Sequence, residues 1–296
     1  MMPRQSLASL AVFCLAGINI VCAATTAEAD ELYRAKRYPE ARAAYEQVIA
    51  TEPANANAAF HLGQLALMRN APEEAAKWLE QATTLNPGSA PYLTALGDAY
   101  GLWAQNAGLF SKLGLARKSQ TAYEKAVALD PEDLDARDSL LNFYRQAPAI
   151  AGGGMDKARA QALEIQKRDP LRGTIALVDI SAVEKKYDEA FSLLEDVLRR
   201  HPGELTAQYQ LGRTSAMSGQ RLDQGEAALR KYLAAQTGED LPPRWAAHWR
   251  LGLILEKKGD VAGARAEYAE ALKLNPTQPQ LVEAARRVGE PAAASH

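Results

Sequence analysis

The sequence predicts an all-α chain made of repeated helical pairs, and three observations carry that prediction. Residues 245–276 hold Leu251, Gly252 and Leu255 at helical spacing in one segment, Ala264, Tyr268 and Ala271 in the next, and Pro276 after both. The same order of small, apolar and helix-ending residues recurs upstream, and a helical pair that cannot bury its apolar face alone needs such neighbours. Composition fits as well: 47% of the 296 residues are apolar yet only 7% are aromatic, so the core has to form through aliphatic and small side chains, alanine above all.

Residues 1–23 read as a cleaved signal peptide. Arg4 gives a positive start, residues 6–21 an apolar core, and Val21 and Ala23 stand at the −3 and −1 positions of a cleavage site. Small residues follow the apolar run rather than a cluster of Lys and Arg, which favours cleavage over a retained anchor. Both cysteines, Cys14 and Cys22, fall inside this segment. Lipidation at Cys22 would need a small residue before it, and Val21 stands there. The mature chain then has neither disulfide nor thiolate, which suits a bacterial periplasm; the expected location is periplasmic or secreted.

From residue 24 to residue 289 seven copies follow one another. The first is marked by Ala29, Leu32, Ala41, Tyr45 and Pro53, the second by Leu62, Gly63, Ala75, Leu79 and Pro87. Leu96, Gly97, Tyr123, Ala126 and Pro131 mark the third; Leu140, Tyr144, Ala158, Ala162 and Pro170 the fourth. The fifth has Leu177, Ala190, Leu194 and Pro202, the sixth Leu211, Gly212, Leu229 and Tyr232, and residues 245–276 are the seventh. Insertions interrupt the third copy at 101–118 and the fourth at 146–157. A capping helix is expected over 279–288, and residues 290–296 read as a flexible tail rich in Pro and Ala.

With His248 included, the landmarks of the seventh copy follow W-x2-L-G-x2-Y…A-x3-F…P, His248 standing for Trp, Leu255 for the first Tyr and Tyr268 for Phe. The chain resembles the tetratricopeptide repeat family over residues 24–288, the two insertions being its departures. That resemblance implies antiparallel helix pairs stacked into a right-handed superhelical solenoid of about seven units. The first helix of each pair would line a concave groove. At helical spacing the residues facing it are Phe60, Gln64, Asp98, Asp138, Asn142, Asp179, Tyr209, Arg213 and Trp249. Such a mixture of aromatics, amides and carboxylates suits an extended peptide. Chaperone-binding members of the family grip a C-terminal carboxylate with Lys and Asn. The matching positions here hold Thr26, Asp30 and His61, or Ile175, Asp179 and Gln210, which make no cationic cradle. Asp98, Asp138 and Asp179 make the middle of the groove read as acidic, so the expected partner is a protein or peptide of basic or neutral character.

Other function classes find little support. Net charge is −2 without blocks of one sign, so no nucleic-acid footprint is expected. The histidines, His61, His201, His248 and His296, are scattered without metal-ligand spacing, and no cofactor is expected. Glycines 152–154 fail as a phosphate loop because Met155, Asp156, Lys157 and Ala158 follow, with no hydroxyl at the magnesium position. No acyl-transfer motif occurs, and the acid pairs Asp30–Glu31 and Glu73–Glu74 lie on solvated helical faces. The expectation is a non-enzymatic scaffold or adaptor at the cell envelope. The alternative is an accessory subunit of an envelope assembly, export or enzyme complex. No stable membrane insertion is expected after cleavage, and self-association stays open. Both insertions fall at the turn between the two helices of their pair. They either pack together into a partner-contacting edge, or seal an edge of the core through Phe110 and Ile150.

Overall fold

The computed structural model describes residues 24–235, 238 and 241–289; the expected signal peptide and C-terminal tail lie outside the described residues. Among the described residues there are fifteen α-helices, one short 3-10 turn and no strand, so the all-α paired architecture is as expected. Packing divides the chain into two compact units, residues 1–87 and 88–296, taken here in turn.

The first unit holds α1 (Thr26–Arg34), α2 (Tyr38–Thr51), α3 (Ala56–Met68) and α4 (Pro72–Leu85). A reciprocal cap starts α1: the Thr25 hydroxyl accepts from the Glu28 N–H at 3.2 Å, while the Thr25 N–H donates to the Glu28 carboxylate at 2.8 Å. Proline in the first turn of α2 and of α4 costs no hydrogen bond, because those N–H groups have no helical acceptor. Ala29, Ala41, Tyr45, Val48, Ala58 and Leu62 form the buried cluster. His61 sits among aromatic rings, 4.7 Å from Tyr33 and stacked on Tyr45 at 5.0 Å. Burial holds its pKa below the ordinary histidine value, against the pull of Asp30 at 3.9 Å.

The second unit continues with α5 (Ala90–Asn106), α6 (Leu109–Leu129), α7 (Leu134–Gln146), α8 (Met155–Arg168), α9 (Pro170–Val183) and α10 (Tyr187–Arg200). After these come α11 (Leu205–Ser218), α12 (Leu222–Ala234), α13 (Arg244–Lys257), α14 (Val261–Leu274) and α15 (Pro279–Gly289). Each odd helix from α5 to α13 packs on the one after it, and α11 also lies along α13. The close approach within a pair is visible at Gly252, where a Cβ would come within 2.4 Å of the Tyr268 ring. The final helix caps the last pair as expected. Leu281, Ala284 and Val288 join the cluster of Tyr268 and Ala271, and Arg287 grips Glu256 with two hydrogen bonds of 2.7 and 2.8 Å.

The first insertion is helical: it lengthens α5 to 17 residues and α6 to 21, against 13 in α7 and 14 in α8. The side chains of Leu109 and Phe110 lie outside the described part. The second insertion is a tight loop with its 3-10 turn at Ala149–Ala151. The Gly154 N–H donates back to the Tyr144 carbonyl at 2.8 Å, and Lys157 Nζ donates to the Gly152 carbonyl at 2.9 Å. Gly152, at φ 95°, needs the left-handed freedom of glycine and lies tight against Gln120, so the loop packs on α6 just beyond the first insertion. One expectation is corrected. Ile150 is 68% exposed and seals nothing; Ala151 beside it is the buried residue of the loop.

Gly252→Ala is expected to lower stability by about 1–3 kcal/mol in urea denaturation, because an overpacked side chain has to shift. Gly114→Ala on the open face of α6, where a Cβ meets nothing within 4 Å, is expected to raise it by about 0.5–1 kcal/mol. His61 gives a pH test. Because its folded pKa is depressed, the unfolded chain takes up the proton first. Its neutral-state contribution is therefore full above a pH of about 6.5 and is lost as pH falls through the window toward the folded pKa. The stability of wild type relative to His61→Phe should fall steadily as pH drops across that window.

Candidate protein-binding groove

Of the nine expected groove residues, Phe60 and Gln64 belong to α3 of the first unit. Phe60 packs on the His61 ring at 5.3 Å, and the Gln64 carboxamide oxygen accepts the Tyr33 hydroxyl at 3.2 Å and faces His61 Nδ1 at 3.0 Å. The other seven lie on the first helices of the pairs in the second unit: Asp98 on α5, Asp138 and Asn142 on α7, Asp179 on α9, Tyr209 and Arg213 on α11, and Trp249 on α13.

The carboxylates of this row are not free. Asp98 accepts the Tyr123 hydroxyl of its own pair at 2.7 Å. Asp138 takes the Arg172 Nε–H at 2.6 Å, and the same arginine reaches Asp135 at 2.6 Å. Asp179 pairs with Arg213 on α11 and, at 3.7 Å, with Arg145 on α7. At Asp138 and Asp179 the expectation of an acidic middle is therefore corrected, while Asp98 meets only a hydroxyl. Arg172 and Arg213 each stand 34 residues beyond the carboxylate they hold, one repeat along, so each charge is met from the next pair. Asn142 completes the row by accepting from Arg145 at 2.9 Å, and the Gln210 side-chain oxygen accepts from Arg213 at 3.0 Å.

Toward α13 the balance reverses. Tyr209 is only 6% exposed, its ring 5.4 Å from Tyr232, so it belongs to the core rather than standing open in the groove. The Arg250 guanidinium covers it at 5.2 Å and lies equally far from the Trp249 ring. Trp249 in turn stacks on Trp245 at 6.3 Å, and both indoles are half-buried. Burial holds the Arg250 pKa below the ordinary arginine value, with the Arg213 charge acting in the same direction. An arginine so placed stays charged at neutral pH. Arg145, Arg172 and Arg250 were not among the expected site residues. The one-repeat offset from Asp179 and Asp138 would have found the first two.

Among the described residues no group of three His, Asp or Glu is placed to hold a metal ion, and no helix is long and apolar enough to cross a membrane. The His248 Nδ1–H donates to a Glu267 carboxylate oxygen 2.7 Å away, a local pair.

Asp179→Asn removes the carboxylate that Arg145 and Arg213 share. Each partner is about a quarter exposed, between the buried and surface limits. The expected loss is about 1–3 kcal/mol in chemical denaturation. Added salt should reduce it by screening the guanidiniums from one another.

The tetratricopeptide repeat family model matches residues 26–90 and 214–279. Cellulose synthase operon protein C of Pseudomonas fluorescens (strain SBW25) is 27% identical over 224 residues, which is 74% of this chain and 14% of that protein. The chain thus spans only a small part of that relative's length. Among solved structures, a tetratricopeptide repeat protein from Parabacteroides merdae superposes with a TM-score of 0.66 at 14% identity, covering 89% of this chain and 97% of its own. PilF of Pseudomonas aeruginosa superposes at 0.51 and 17% identity, covering 81% of this chain and 99% of its own. At such identities the likeness is one of fold. With seven helix pairs among the described residues and the family model matching residues 26–90 and 214–279, the chain has the fold of a tetratricopeptide repeat solenoid and carries repeats of that family at both ends of the series.

Proposed function

We propose that this chain is an exported, non-enzymatic scaffold or adaptor of the bacterial cell envelope, holding a segment of a partner protein against the first helices of its second unit. Tetratricopeptide repeat proteins generally bind protein partners. The observation that carries the reading here is the row on α7, α9 and α11, where ion pairs that cross from one repeat to the next join Arg172 to Asp138 and Arg213 to Asp179. A surface ordered before contact loses less conformational entropy on binding than a mobile one. Because those charges are matched, the row calls for a partner segment neutral overall rather than a basic one. Export rests on the sequence pattern of residues 1–23, with cleavage after Ala23.

A second reading is an accessory subunit of an envelope assembly. It is favoured by the alignment of most of this chain with a 14% stretch of a much longer protein, which makes repeats of this kind a part of something larger.

One experiment tests the proposal. A photo-crosslinking amino acid is placed at Asn142, in the row, or at exposed Glu270 on α14 as control, and cells are irradiated. Protein adducts are expected in the envelope fraction from position 142 and not from 270, on a chain whose first residue is Ala24. Equal adducts from both sites, or an uncleaved cytoplasmic chain, would overturn it.

A further inference from the structure

Three guanidiniums, those of Arg145, Arg213 and Arg250, gather about the single carboxylate of Asp179. Arg145 and Arg213 reach it and have amide oxygens besides. Arg250 has no such partner. Its guanidinium donates to the Ala246 carbonyl at 3.0 Å and lies over the Tyr209 and Trp249 rings, and no described carboxylate forms an ion pair with it. A half-buried cation whose nearby counter-charge, Asp179, is already shared by two other guanidiniums is penalised by lost hydration, which ring faces offset only in part. In the same corner the Trp249 indole N–H is buried with no acceptor.

We propose that the corner between α11 and α13 is an anion subsite of the groove, in which Arg250, backed by Arg213, takes a carboxylate of the partner polypeptide. The subsite rests on the groove being a docking surface. Its chemistry follows from charge. A partner carboxylate turns three cations around one anion into three around two, relieves the repulsion between Arg213 and Arg250, and presents the planar acceptor that a guanidinium fork matches. A basic or neutral side chain does none of these. The site differs from the paired row on α7 and α9, whose arginines are already engaged.

The test selects random-sequence peptides, displayed either with free C-termini or as internal fusions, against the full wild-type chain, Arg250→Gln and Arg250→Lys. Wild-type winners are expected to share an acid at one place. Replacing that acid by its amide should weaken binding about ten-fold on the wild type, by a smaller factor on Arg250→Lys, which keeps the charge without the fork, and less than about two-fold on Arg250→Gln. Binding of the amide peptide to Arg250→Gln shows that this variant keeps its fold and groove. An acid needed in the fusions identifies a side chain as the source; one needed only at free termini identifies the terminal carboxylate. Wild-type winners without a shared acid, or an undiminished ten-fold effect on Arg250→Gln, overturn the subsite while the groove stands. If no variant selects any peptide, the groove reading falls and the subsite with it.

Discussion

Two helices share a repeat only if a side chain of one finds room on the other, and at Gly63, Gly97, Gly212 and Gly252 that room is a missing Cβ. Leu79, Tyr123, Leu229 and Tyr268 fill it. The polar atoms of the pair depend on this spacing. With the helices so close, the Tyr123 hydroxyl reaches Asp98 and the Tyr268 hydroxyl reaches Glu256 at 2.8 Å; in the first pair Tyr45 reaches Asp30 at 2.6 Å in the same way. A buried ring that ends in a satisfied hydroxyl loses nothing by burial of its polar atom. The first helices are thereby set where an arginine of one repeat meets a carboxylate of the one before.

The packing landmarks were legible because side-chain volume and helix termination are local properties. Even the departures follow the same rule. The fourth copy has Leu141 where the second, third, sixth and seventh have glycine, and its second helix carries the small Ala162 where others carry Tyr or Leu; both are buried in one cluster. Proline and glycine punctuation placed the helix ends, and the expected seven pairs with a capping helix are what the chain forms.

The electrostatics of the groove were harder to read, for a physical reason. Asp98, Asp138 and Asp179 count as acidic only until their partners are found, and those partners lie 25 to 34 residues away. Tyr209 looks like an open aromatic at its position in the helix, yet Tyr232 and Arg250 cover it from neighbouring helices. Arg250 falls between the packing landmarks, and only the arrangement of three helices reveals that it lacks a carboxylate. The glycine run at 152–154 had a plain answer in the turn it closes onto α7, a backbone requirement that composition alone does not distinguish from a binding loop.

The cross-repeat pairs bear on how such a chain can change over evolutionary time. A stack of similar helix pairs invites gain or loss of whole copies, since the backbone would close over the gap. Here Arg145, Asp179 and Arg213 come from three successive copies, so excising the middle one, α9 with α10, would leave two guanidiniums facing each other with nothing between them. The charges act as an address written across neighbours, making the central copies fixed in number and order although their folds are interchangeable.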